Sequence, residues 1–147
     1  MNHAIQEVAA LAQGEVGRNG VALRMELGAD VPPVLGDRVQ LQQVILNLVM
    51  NGVEAMASVT DRPRELLIHS HQHESDKVLV AVRDSGVGID SQNLEKIFDT
   101  FYTTKSQGMG MGLAISRSII ENHGGRLWAV PNDGTGATFQ FTLLQYH

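Results

Sequence analysis

Chemistry in this sequence can come from a polar stripe with helical spacing, an aspartate ahead of two glycines, and a glycine-rich run. Asn47, Asn51 and Glu54 lie four and three residues apart, so on a helix they stack along one side. That side borders an apolar stripe. Asparagine lowers helix propensity, and Gly52 lowers it by a further ~1 kcal/mol relative to alanine. An amide oxygen from Asn51 suits Mg²⁺, a hard cation that takes oxygen ligands and leaves the rest of its octahedron to phosphate and water. The plainer alternative is that both amides cap neighbouring backbone or face water.

Asp84-Ser85-Gly86-Val87-Gly88-Ile89 follows directly on an alternating segment, Lys77 to Arg83. A carboxylate at a strand end can accept a hydrogen bond from an exocyclic amine, with glycines letting backbone approach a ligand. Adenine presents such an amine and guanine an oxygen, so an aspartate here would select ATP over GTP. The alternative is a turn with aspartate as turn former. Gly108-Met109-Gly110-Met111-Gly112-Leu113 leads into a helix, where backbone N–H groups and the helix dipole make an anion site. Read alone, it is equally a hinge. Thr103, Thr104 and Lys105 supply hydroxyls and a cation to close on phosphates, or else form a solvated loop. The chain has no Walker loop, and the glycine run lacks the preceding strand of a Rossmann fingerprint. His69, His71 and His73 alternate on one strand face, which reads as an exposed face where chelation would be adventitious. Met109 and Met111 read as adaptable packing.

The elements that must position these groups follow from hydrophobic periodicity. Ile5, Val8, Leu11 and Ala12 predict a helix from His3 to Val16, and Val21 to Leu27 alternates as a half-buried strand. Asp37 can cap a long helix running to about Ser58, with Leu41, Val44, Ile45, Leu48, Ala55 and Met56 as its core stripe. Glu65 to His73 and Lys77 to Arg83 predict an antiparallel strand pair. A helix then runs from the glycine stretch to about Asn122, stopped by His123-Gly124-Gly125. Arg126 to Val130 and Ala137 to Leu144 are two final strands around a turn at Asn132 to Gly136. The order implies an α+β, two-layer α/β sandwich with a mixed, mostly antiparallel sheet packed on helices. No repeat or linker interrupts it, so residues 1–147 read as one domain.

Bulk properties exclude other classes. The chain has 147 residues, no cysteine and a formal net charge of -5, which rules out disulfides and argues against nucleic-acid binding. No apolar run approaches the ~20 residues needed to span a bilayer, so direct membrane contact is not expected. A cytoplasmic location is the expectation, compatible with a membrane-anchored parent protein.

Taken in order, the motifs resemble those of sensor histidine kinases. Asn47 to Met56 is similar to the N box, Asp84 to Ile89 to the G1 box, Ile97 to Lys105 to the F box and Gly108 to Leu113 to the G2 box. The short spacing from Lys105 to Gly108 is similar to the oxygen- and nitrogen-sensing branch. The resemblance implies a Bergerat-type sandwich that binds ATP and Mg²⁺. By position it implies that Asn51 coordinates the metal, Asn47 supports the phosphates and Asp84 binds the adenine amine, with Gly86 and Gly88 allowing close approach. It also implies that Lys105 and the backbone around Gly108, Gly110, Gly112 and Leu113 hold the triphosphate, with Asn51 and Lys105 as the catalytic groups. Phe98 and Phe101 would anchor a mobile lid. Gly52 departs from the alanine usual after the second asparagine, and the expectation is that it does not touch the proposed ligands.

None of His3, His69, His71, His73, His123 or His147 has the context of the family's phosphoacceptor. The implied partners are therefore a separate dimerisation and phosphoacceptor domain of the same kinase and, through it, a response regulator. Two rivals stand beside this reading. Gyrase- and Hsp90-type ATPases place a glutamate one turn before the metal-binding asparagine to activate water. Asn47 stands there in this chain and cannot take a proton, so hydrolysis should be slow. The other rival is a nucleotide-binding regulatory module without phosphotransfer.

Overall fold

The alternation of β3 (Lys77–Asp84) organises the molecule: Val78, Val80 and Val82 point to one face, and the same period carries Asp84 there too. That face meets the helices. The computed structural model describes residues 1–29, 31–34, 36–74, 76–88, 98, 112–132 and 135–145. Around β3 stand β1 (Val21–Leu27), β2 (Arg64–His73), β4 (Arg126–Pro131) and β5 (Ala137–Leu144), in a five-stranded sheet of order β1-β2-β3-β5-β4. All pairings are antiparallel except β1 with β2, which is parallel. Parallel neighbours need a long crossover, and α2 (Arg38–Ala55) supplies it. With α1 (Asn2–Arg18) and α3 (Gly112–Asn122), α2 forms a single helical layer on the sheet. The mixed, mostly antiparallel sandwich expected from the pattern is the fold observed.

The core lies between the layers. Ile5, Val8 and Val16 of α1 and Val44, Ile45 and Leu48 of α2 pack toward Leu66, Ile68, Val80, Phe139 and Phe141 of the sheet. Among the described residues no helix packs on the opposite face. Leu79 and Ala81 point there yet are buried, flanked in register by His71 and His69 on β2 and by Thr142 and Gln140 on β5.

Helix ends follow local chemistry. The Asp37 carboxylate accepts the Gln40 N–H at 3.1 Å, the cap read from the sequence. At its other end α2 stops at Ala55, short of the expected Ser58. There the chain tightens into a turn whose carbonyls, Ala57 O and Val59 O, accept from the Arg64 guanidinium at 3.2 and 3.0 Å. The end of α3 is tied to the start of α2 by His123. Its Nε2 accepts the Asp37 N–H at 3.0 Å, which leaves Nδ1 protonated to donate to Ile119 O at 2.8 Å.

Gly125 joins α3 to β4 where no side chain fits, since a Cβ there would stand 2.0 Å from Thr142 O. Gly14, inside α1, has open space around the same position. Gly125→Ala should therefore cost about 3 kcal/mol through forced backbone displacement. Gly14→Ala should add up to ~1 kcal/mol of helix stability. Urea unfolding of the two variants should move the midpoint in opposite directions.

Candidate functional site

Asp84 is the last residue of β3 and only 3% exposed. A buried carboxylate needs donors, and two come from the main chain: Gly86 N–H at 2.9 Å and Ala137 N–H at 3.3 Å, both to Oδ1. The loop that follows is fastened at successive atoms. Arg62 donates to Ser85 O at 3.0 Å and to Gly86 O at 2.7 Å, and Val87 N–H reaches Ala55 O at 3.3 Å. Ser85 Oγ accepts the Glu65 N–H and donates to Pro63 O, both at 3.0 Å. Each of Ser85, Gly86 and Val87 is thus hydrogen-bonded to another part of the chain.

The glycines here have packing reasons of their own. A Cβ on Gly86 would come within 2.6 Å of Ala55 O, where the loop crosses the end of α2. Gly88 has φ 84° and would press on Gly136 O at 3.3 Å. Gly52 faces the same strand end: a Cβ added to it would lie 3.4 Å from Asp84 Cβ and 2.6 Å from Leu66 Cδ1. Leu66 and Asp84 are register partners, so Gly52 lets α2 settle directly against that pair.

Asn47 and Asn51 sit half-buried on one side of α2, as their spacing requires. Asn47 Nδ2 donates to Ser116 Oγ at 3.2 Å, and Ser116 is fully buried on α3. That bond consumes amide donor capacity and leaves Oδ1 as the acceptor end of Asn47. Gly112 begins α3, and Leu113 packs on the core behind it. Phe98 is buried edge-to-face against Phe139 with ring centroids 6.2 Å apart, and the Arg117 guanidinium lies 4.8 Å over its ring. Lys105, Gly108, Gly110 and Phe101 lie outside the described residues. Gly52, next to Asn51 on α2, thus faces Asp84 at the end of β3, and Ala55 meets Gly86 in the loop that follows.

The histidines of β2 stand apart, on the open face of the sheet. His69 and His71 stack with centroids 5.7 Å apart. Burial, helped by His71 and Arg83 and opposed by Glu26, pushes the His69 imidazole below its ordinary range. Among the described residues no group of three or more His, Asp or Glu side chains is placed to hold a metal ion.

Residues 36–147 match the family described as histidine kinase-, DNA gyrase B-, and HSP90-like ATPase. The structure superposes on the catalytic domain of the histidine kinase ThkA with a TM-score of 0.86 at 36% identity, covering 99% of this chain and 92% of that one. The chain belongs to the histidine kinase catalytic domains. Nucleotide binding is the activity this family shares. The kinase domain is also 47% identical over 139 residues to the sensor protein FixL of Bradyrhizobium diazoefficiens, covering 95% of this chain and 27% of FixL. The sensor histidine kinase TmoS of Ectopseudomonas mendocina is 43% identical over 122 residues, 82% of this chain and 12% of TmoS. The domain thus spans about a quarter or less of these relatives' length. A structure of ThkA in complex with the response regulator protein TrrA is 33% identical, with a TM-score of 0.83 over 99% of this chain and 40% of that one. No helix among the described residues is long and apolar enough to cross a membrane.

The geometry ties residues that the motifs did not single out to the candidate site residues: Ser116 to Asn47, Arg62 to the loop after Asp84, and Asn132, held by Thr138, to Asp84. The Asn132 to Gly136 stretch reads in sequence only as a glycine-rich turn. Its part in the site comes from where β5 falls in the sheet. Ser116→Ala would strip Asn47 of its partner and should cost about 1 kcal/mol. Thermal unfolding of that variant should show a matching drop, and an unchanged melting temperature would mean Ser116 does not hold the amide.

Proposed function

We propose that this kinase domain binds Mg·ATP and donates its γ-phosphoryl group to a histidine on a separate dimerisation domain, as one half of a two-component signalling kinase. The observation that carries the reading is Asp84: a carboxylate buried at a strand end, fixed by two backbone N–H groups and seated against α2 beside the asparagine stripe. The donor set suits the ligand. A carboxylate has about four lone-pair sites, more than its two main-chain bonds use, and it accepts from adenine's amine where guanine's oxygen would be repelled. Asn51 offers a neutral amide oxygen of the kind Mg²⁺ takes, and Asn47, with its nitrogen turned to Ser116, presents its oxygen end.

In this reading Asp84 selects the base, Asn51 holds the metal, and Asn47 braces the phosphate side. Lys105 and the backbone around Gly108, Gly110, Gly112 and Leu113 hold the triphosphate, while Phe98 and Phe101 anchor the segment over it. Bound Mg²⁺ supplies charge neutralisation on the phosphates, and the rest of catalysis is positioning. Asn47 stands where the hydrolytic relatives place a proton-accepting glutamate, and its amide donates to Ser116, which supports transfer over hydrolysis. The acceptor domain, a downstream response regulator, a cytoplasmic setting and a single domain over residues 1–147 belong to the same proposal.

Calorimetry of the domain with ATP and GTP tests the base contact. Asp84→Asn keeps an acceptor for the two backbone N–H groups but removes the charge, so ATP affinity should fall by about tenfold or more, the weight of a charged hydrogen bond of ~1.5–3 kcal/mol. Asn51→Ala should reduce magnesium-dependent phosphorylation of an added acceptor domain far more than metal-free adenosine binding. Equal losses in both assays would remove Asn51 from the metal. ATP binding without any label on an acceptor histidine would favour a regulatory module instead.

A further inference from the structure

The turn between β4 and β5 touches Asp84 from the β5 side of the sheet, and its chemistry is specific. Asn132 Nδ2 donates to Asp84 O at 2.8 Å and to Thr135 O at 3.0 Å, while its Oδ1 accepts from the Thr138 hydroxyl. The Asn132 N–H closes the turn on Gly136 O at 3.1 Å. Both amide hydrogens and the amide oxygen are therefore used. An aspartate here would face two carbonyls with no donor, and a shorter side chain could not span the turn. Gly136 brings the two backbones into contact, since a Cβ on it would lie 2.0 Å from Asp84 O. The next residue, Ala137, sends its N–H to the Asp84 carboxylate. One turn thus grips residue 84 twice, at the main-chain carbonyl and at the side chain.

We propose that Asn132 is a positioning residue for purine selection: without touching nucleotide, it fixes the Asp84 peptide so that the carboxylate faces the amine edge of adenine. A hydrogen bond weakens steeply as its angle closes, so a single-contact discrimination depends on how firmly its one acceptor is held. Arg62 secures the following carbonyls, Ser85 O and Gly86 O, but does not reach Asp84 O in any of its bonds here. That carbonyl is held by Asn132. The inference rests on Asp84 being the adenine contact.

The test uses the 147-residue chain with ATP and GTP dissociation constants, the weaker nucleotide read by competition against a fluorescent ATP analogue. Asn132→Ala should weaken ATP by about tenfold and leave GTP nearly unchanged, so the ATP-to-GTP preference falls by the same factor. In an Asp84→Ala background the same change should have less than about a twofold effect, because a residue acting through another is not additive with it. A wild-type preference in Asn132→Ala, or effects that multiply in the double variant, overturns the proposal. If Asn132→Ala fails to unfold cooperatively, Thr138→Val removes only the hydroxyl that orients the amide. A smaller loss of preference in that variant supports the proposal, and none overturns it. A wild-type chain that binds neither nucleotide, or both equally, defeats the reading of Asp84 itself; a selective wild type with equally selective variants defeats only the role of Asn132.

Discussion

Taking a carboxylate out of water costs several kcal/mol unless donors replace the solvent, and Asp84 draws its donors from two distant parts of the chain. Gly86 supplies one from the adjoining loop and Ala137 the other from β5. This requirement organises much of the surrounding structure. The loop folds back on itself, β5 lies beside β3, and α2 approaches closely enough that a Cβ at position 52 would meet Leu66 Cδ1 at 2.6 Å.

The helical layer serves the same end. α2 carries the asparagine stripe, and its two ends are fastened by different means. At one end Asp37 caps the helix and receives His123 from α3; at the other Arg64 gathers the carbonyls that the tightened turn leaves open. The Asn47–Ser116 bond ties α2 to α3 between those points. Gly112 at the start of α3 and the asparagines of α2 are thereby held in one frame, which suits a reaction whose demands are chiefly geometric.

Much of this was legible in the residues. The alternation of Val21 to Leu27 marked β1 to the residue, Asp37 announced its helix, and Asp84 stood out as a carboxylate ahead of glycines. The parallel pairing of β1 with β2 left no local mark, because register between strands separated by a helix is settled by packing. The expected end of β3 at Arg83 stopped one residue short, since an aspartate continuing a valine alternation looks like loop rather than strand. The roles of Arg62, Asn132 and Ser116 were hidden for a different reason. Their partners lie 24, 48 and 69 residues away in sequence, beyond the reach of any periodicity. The glycines misled in part, because residues read as making room for a ligand are also required by neighbouring backbone.

The position of β5 has a consequence for how the domain comes into being. It follows β4 in sequence, yet it lies between β3 and β4, carrying Phe139 and Phe141 into the core. On the ribosome, where chains emerge amino end first, everything up to Pro131 can leave the exit tunnel while this gap in the sheet stays open. The nascent domain therefore holds an acidic group without its full complement of donors until β5 emerges. A chain broken between β4 and β5 would lose the Ala137 N–H from that carboxylate along with the strand itself.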